Sequence, residues 1–180
     1  LCSNHCSHMD STVLMYACDR PFEDFGLIAA QDYFVAGGRW KQALGLLVNL
    51  LPVDRRGTRK AVAAHVEQCR QFVAPGNRYL ILYPEGTRST TGEMAQFKKG
   101  VGMLASELGL PVVPAYIEGT YARWRKGTRF IRPGAIEVRF GQAVHPRSFA
   151  DDGVRSFGVI AEELERRVVS LHNEALEASR

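Results

Sequence analysis

Apolar residues recur along this chain with two alternating periods, and that alternation restricts its fold more than any other feature. Val62, Val66, Cys69 and Val73 are spaced four, three and four apart, so they line one side of a helix expected over residues 58–73 and closed by Pro75-Gly76. Residues 78–83 then read as a central strand ending at Pro84. A short helix over 100–108, stopped by Gly109, and a strand over 111–117 follow. Ile136, Val138 and Phe140 alternate with Glu137 and Arg139, which predicts a strand with one wet face. Phe157, Ile160, Ala161, Leu164, Val168, Leu171 and Ala175 form one stripe of a long C-terminal helix. Near the N-terminus a helix is expected from Ser7 or His8 to about Cys18, followed by a short buried strand over 26–30. This order predicts an α/β fold, a layered mixed sheet flanked by helices.

A single domain spanning residues 1–180 is long enough to enclose a core. No stretch approaches the roughly 20 apolar residues needed to cross a bilayer. The run 40–51 is apolar nearly all round and reads as a helix; burying each such side chain is worth about 1.5–3 kcal/mol, so that helix belongs in core or against lipid. The chain starts at Leu1 and meets its first motif within four residues; further sequence, with room for a membrane anchor, is expected ahead of it. Cys2, Cys6, Cys18 and Cys69 lack the spacing of a disulfide framework, which fits a reducing, cytoplasmic setting. The net charge of +4 says less than its distribution, because cations gather at 55–60, 98–99 and 123–132. Such patches suit headgroups or phosphorylated substrates, although each taken alone is also ordinary solvated surface. Arg123-Trp124-Arg125-Lys126 could serve a nucleic acid, but no nucleic-acid fold motif accompanies it, and no such partner is expected.

Residues 4–10 read Asn-His-Cys-Ser-His-Met-Asp. Five residues turn a helix about 140° out of line, so His5 and Asp10 can meet only if His5 lies in a loop and Asp10 in the first helical turn. Ser7-x-x-Asp10 is a capping-box pattern that would start a helix there. The Asp10 carboxylate could then hold one imidazole nitrogen of His5 and leave the other basic, ready to deprotonate an alcohol. A thioester is already activated, so such an alcohol could attack it without a serine or cysteine intermediate. Other readings of the segment are a plain helix cap with a loop histidine, a zinc site built from Cys2, His5, Cys6 and His8, or a Cys6 nucleophile. A zinc-stabilised or lipid-binding module without catalysis is therefore the alternative to an enzyme.

Tyr83-Pro84-Glu85-Gly86-Thr87-Arg88 follows directly on a predicted strand. Loops at the carboxyl ends of strands are where open α/β sheets bind ligands. Gly86 permits close backbone approach, Thr87 offers a hydroxyl, and Arg88 presents a fork that fits phosphate oxygens. Glu85 could bind a substrate hydroxyl or hold Arg88.

These residues resemble a family. Asn4-His5-x-Ser7-x-x-Asp10 is similar to the first block of the lysophosphatidic acid and glycerol-phosphate acyltransferases, whose hallmark is His-x4-Asp. Tyr83–Ser89 resembles their third block, usually written with Phe first, and Val113-Pro114 falls where the fourth places a Val-Pro strand entry. Ala29–Tyr33 and Phe97–Gly100 are also similar, so the likeness spans roughly residues 1–141. The second block is represented by Leu51-Pro52-Val53-Asp54-Arg55-Arg56 without its usual Gly.

The resemblance implies a glycerol-phosphate acyltransferase-like fold. It also implies transfer of an acyl group from acyl-CoA or acyl-carrier protein to a lysophospholipid at the cytoplasmic face of a membrane, with no cofactor and no metal. His5 would be the base and Asp10 its partner. Glu85, Gly86, Thr87 and Arg88 would bind the acceptor and its phosphate, with Arg55, or its neighbour Arg56, as a second phosphate contact.

Overall fold

The structure is a computed structural model that describes residues 1–30, 49–54, 57–76, 78–125, 127–128, 130–151, 154–155 and 157–178. Strand β2 (Phe25–Ala30) runs parallel between β3 (Asn49–Val53) and β4 (Tyr79–Ile81). Strand β1 (Cys2–Ser3) lies parallel beside β5 (Pro114–Glu118), and β6 (Glu137–Phe140) runs antiparallel along the other side of β5. A parallel bridge between Cys2 and Leu82 joins the two groups. There the Leu82 N–H donates to the Leu1 carbonyl at 3.0 Å and the Ser3 N–H to the Leu82 carbonyl at 3.3 Å. The resulting order is β3-β2-β4-β1-β5-β6, a mixed sheet as the alternating periods require. A two-stranded ribbon, β7 (Ala150–Asp151) with β8 (Val154–Arg155), stands apart from it.

Helices cover both faces because alternate side chains of each strand point opposite ways. Ala115 and Ile117 of β5 pack with Leu14 and Met15 of α1 (Asp10–Ala17), whereas Tyr116 between them packs with Ile160, Leu164 and Val168 of the C-terminal helix. Helix α2 (Arg59–Val73) lays Val66, Cys69 and Phe72 on Ile28 and Leu51, and α3 (Gly100–Leu108) adds Leu104 to that cluster. Helix α4 (Thr120–Trp124) follows β5. Helix α5 (Phe157–Ala178) buries Ile160, Ala161, Leu164, Val168, Leu171 and Ala175, the stripe read from the sequence. Between α3 and the strands lies an apolar cavity of about 260 Å³ lined by Leu1, Cys2, Leu80, Leu82, Leu104 and Val112. Among the described residues no helix is long and apolar enough to cross a membrane.

Several expectations shift. Helix α1 begins at Asp10 rather than at Ser7 or His8, because only half of the capping box forms. The Asp10 carboxylate reaches back to the Ser7 N–H at 2.8 Å, but the Ser7 hydroxyl, which donates to the Trp124 carbonyl at 2.6 Å, accepts from the Met9 N–H at 3.3 Å and not from the Asp10 N–H that the box requires. The strand after α3 starts at Pro114, three residues later than expected, and Val112 pairs instead with Val144. The last residues of the apolar run 40–51 open strand β3, not a helix; residues 40–48 lie outside those described. Pro52 is tolerated in β3 because that strand is outermost among the described ones, and an outer strand can spare an N–H. Phe140 is 41% exposed, so β6 does not keep its apolar face dry; it is the other outer strand.

Gly102 sets how closely α3 meets α5. A β-carbon there would lie 2.1 Å from the Phe157 carbonyl oxygen, a backbone atom that cannot swing aside. Gly102→Ala is expected to force the helices apart and cost about 1–3 kcal/mol, read as a lowered midpoint in urea unfolding.

Candidate active site

Three neighbouring parallel strands, β4, β1 and β5, end on the same side of the sheet, and each delivers one part of a single cluster. β1 leads into the loop that carries His5, and α1 opens on Asp10. His5 Nδ1 lies 2.8 Å from Asp10 Oδ2. Asp10 has no exposed surface, and a buried carboxylate is stable only when its lone pairs are filled. Oδ2 also accepts from the backbone N–H groups of Cys6 and Ser7, each at 2.8 Å. Oδ1 accepts from the Thr120 hydroxyl at 2.6 Å. With Asp10 accepting at Nδ1, the imidazole carries its proton there and Nε2 keeps its lone pair. The His5 side chain is 20% exposed, so the ring is held yet reachable.

The second motif builds the floor under the first. The Tyr83 ring stacks on the His5 ring with centroids 3.9 Å apart, and its hydroxyl meets Ser11 Oγ at 3.0 Å. Glu85 is buried, and its two oxygens accept from the His5 N–H at 2.7 Å and the Ala95 N–H at 2.9 Å. The Ser89 N–H donates to the His5 carbonyl at 2.7 Å. Motifs about 80 residues apart in sequence thus share one network of backbone bonds. Each Glu85 oxygen braces one of the two loops, a part beyond the contacts with a substrate hydroxyl or with Arg88 that the sequence suggests. Burial raises the Glu85 carboxyl above the usual range, against the pull of those two N–H groups, and the Asp10 charge adds to the rise.

Arg88 reaches across to the other side of the histidine loop, with Nη1 2.8 Å from His8 Nε2. Thr87 is exposed beside it. Gly86 holds φ +74°, a left-handed conformation that a β-carbon disfavours, and a β-carbon there would meet Nζ of Lys98 at 2.6 Å. The ammonium of Lys98 therefore lies against the same turn as Arg88. Arg55 and Arg56 lie outside the described residues. The cysteine and zinc readings find no support in the geometry. Burial, with the Asp10 charge beside it, pushes the Cys6 thiol up to about 12, so it is no nucleophile near neutrality. Among the described residues no three His, Cys, Asp or Glu side chains gather as metal ligands.

Sequence reasoning missed three participants. Tyr83 headed a recognised motif, yet its ring contact with His5 depends on strand β4 lying beside β1. Lys98 stood in a noted basic pair. Thr120, 110 residues from Asp10, left no local signal.

Comparison with known proteins agrees with this arrangement. Residues 1–118 match the family model described as Acyltransferase. The chain belongs to that family. It is 32% identical over 158 residues to a 1-acyl-sn-glycerol-3-phosphate acyltransferase from Limnanthes douglasii, covering 86% of this chain and 53% of that protein. It is also 32% identical over 124 residues to the one from Pseudomonas aeruginosa, covering 66% and 47%. The chain therefore spans about half the length of these curated relatives. The crystal structure of the 1-acyl-sn-glycerophosphate (LPA) acyltransferase PlsC from Thermotoga maritima superposes with a TM-score of 0.66 at 26% identity, covering 95% of this chain and 65% of that one.

In this acyltransferase-family chain, Thr120→Val keeps the shape of residue 120 but removes a donor from a buried carboxylate. The expected cost is about 1.5–3 kcal/mol in urea unfolding, with Thr120→Ser close to wild type. Equal stability of the valine variant would show that the hydroxyl is dispensable to Asp10.

Proposed function

We propose that this chain transfers a fatty acyl group from a thioester, acyl-CoA or acyl-carrier protein, to the free hydroxyl of a lysophospholipid such as 1-acylglycerol-3-phosphate, in phospholipid biosynthesis. The observation that carries the reading is the His5–Asp10 pair, with Nδ1 held at 2.8 Å, Nε2 left with its lone pair, and the imidazole still partly exposed. In this reading Nε2 takes the proton of the acceptor hydroxyl as its oxygen attacks the thioester carbonyl. The tetrahedral intermediate expels the thiolate, and the imidazolium returns the proton to sulfur. The buried Asp10 carboxylate stabilises the imidazolium formed in between, as a fixed charge in a dry setting does best.

Arg88, with Thr87, the Gly86 turn and the neighbouring Lys98, offers the acceptor phosphate its donors; Arg55 is proposed as a further one. Glu85 contributes by holding the His5 loop in place. No cofactor is needed, because the donor is a substrate that carries its own leaving group. The names of the relatives and the cationic turn beside the histidine support a phosphorylated lipid acceptor, and with it work at the cytoplasmic face of a membrane, peripherally or through an anchor.

His5→Ala is expected to lower kcat by about 10²–10⁴ while the chain stays folded, measured with labelled acyl-CoA. Undiminished turnover would remove His5 as base, and a wild-type chain that binds lipid without any transfer would favour a binding module. Arg88→Ala should raise KM for the phosphorylated acceptor about tenfold or more with kcat largely kept. A variant that treats phosphorylated and unphosphorylated acceptors as the wild type does would refute the phosphate role.

A further inference from the structure

Two bulky apolar side chains stand in water beside the site. Phe130 is 82% exposed and its neighbour Ile131 is 59% exposed. They belong to the connection between α4 and β6; residues 119–136, which are α4 and that connection together, contain no Asp or Glu and have cations at 123, 125, 126, 129 and 132. Arg123, Arg125 and Arg132 line an open hollow of about 560 Å³ together with Tyr121, Thr128 and Phe130.

The described residues of α4 and this connection form a folded platform. The Arg132 N–H donates to the Arg123 carbonyl at 2.9 Å, and the Trp124 indole N–H donates to the Thr128 carbonyl at 3.1 Å. The Thr128 hydroxyl donates to the Arg125 carbonyl at 2.8 Å. Nor is it remote from the chemistry. The Ser7 hydroxyl donates to the Trp124 carbonyl at 2.6 Å, and the Trp124 ring lies 5.0 Å from that of His8, which meets Arg88. The Tyr121 hydroxyl donates to the Thr90 carbonyl at 2.7 Å, two residues beyond Arg88.

We propose that this α4–β6 platform, with exposed Phe130 and Ile131 set among Arg123, Arg125 and Arg132, is the surface by which the chain seats on an anionic lipid bilayer. A small soluble phosphate would satisfy the arginines but leave both apolar side chains in water. A bilayer surface takes both kinds of group, the apolar ones at the boundary of headgroups and acyl chains and the cations among lipid phosphates. Its place against the His5 loop and the Arg88 turn would bring the site to where a lipid acceptor lies. That last link rests on the proposed function; the docking does not.

The test uses the whole chain and the double substitution F130A/I131A, which removes no buried group and is checked by an unchanged urea midpoint. Sedimentation with vesicles of phosphatidylcholine containing phosphatidylglycerol should capture the wild type and lose at least tenfold for the variant, while pure phosphatidylcholine captures neither. Binding to these vesicles unaltered by the substitution overturns the proposal. So does a wild type that ignores vesicles yet binds an acidic acyl-carrier protein through Arg125, or binds only inorganic phosphate. Transfer is assayed separately. The variant should retain wild-type rates on a short-chain acceptor dissolved as monomers and lose about tenfold on acceptor embedded in anionic vesicles; equal loss on both would also overturn the docking role. Absence of wild-type transfer to either acceptor, with vesicle capture intact, would instead defeat the acyltransferase reading and leave the docking surface standing.

Discussion

A fully buried carboxylate at the start of α1 organises this molecule. An isolated charge in such a place is strongly disfavoured, and the chain answers by aiming four donors at Asp10: the His5 ring, two backbone N–H groups and the Thr120 hydroxyl. Those bonds fix the turn from Cys6 to Asp10, set where the helix can begin, and orient the imidazole. One electrostatic requirement therefore serves both folding and the proposed chemistry.

Sheet order makes this possible. Because β4, β1 and β5 are adjacent and parallel, the loops that leave them emerge together although Glu85 is 80 positions from His5 and Thr120 is 110 positions from Asp10. The bonds from Glu85 and Ser89 to the backbone of His5 then tie two loops into one body. A site assembled in this way resists local motion, since displacing one loop breaks bonds in the next. Tyr83 completes it from below, its ring parallel to the imidazole and its backbone fixed at the end of β4.

The outer surface follows another logic. Along the α4–β6 connection the chain leaves apolar groups facing out among cations, whereas the surface of α5 pairs its charges, as in the contacts of Arg166 and Arg167 with Glu163. Paired charges keep a helix soluble at little net energy. A stretch of sequence that holds cations and no Asp or Glu is suited to charge supplied from elsewhere.

The local patterns were fully informative where they record a single element. The span of α3 and its Gly109 stop, the buried stripe of α5, and the pairing of a loop His5 with Asp10 in a first helical turn are all written in short-range spacing. Strands too short to show a period, such as β1, and the start of β3 inside an apolar run were not legible, because two residues carry no alternation and an apolar run fits several elements. What only the tertiary structure decided is which distant groups meet: Thr120 at Asp10, Tyr83 beneath His5, and Glu85 turned inward as a brace. Periodicity tells a side chain which way to face, core or water. It says nothing about which partner waits there, for that depends on the order in which strands lie side by side.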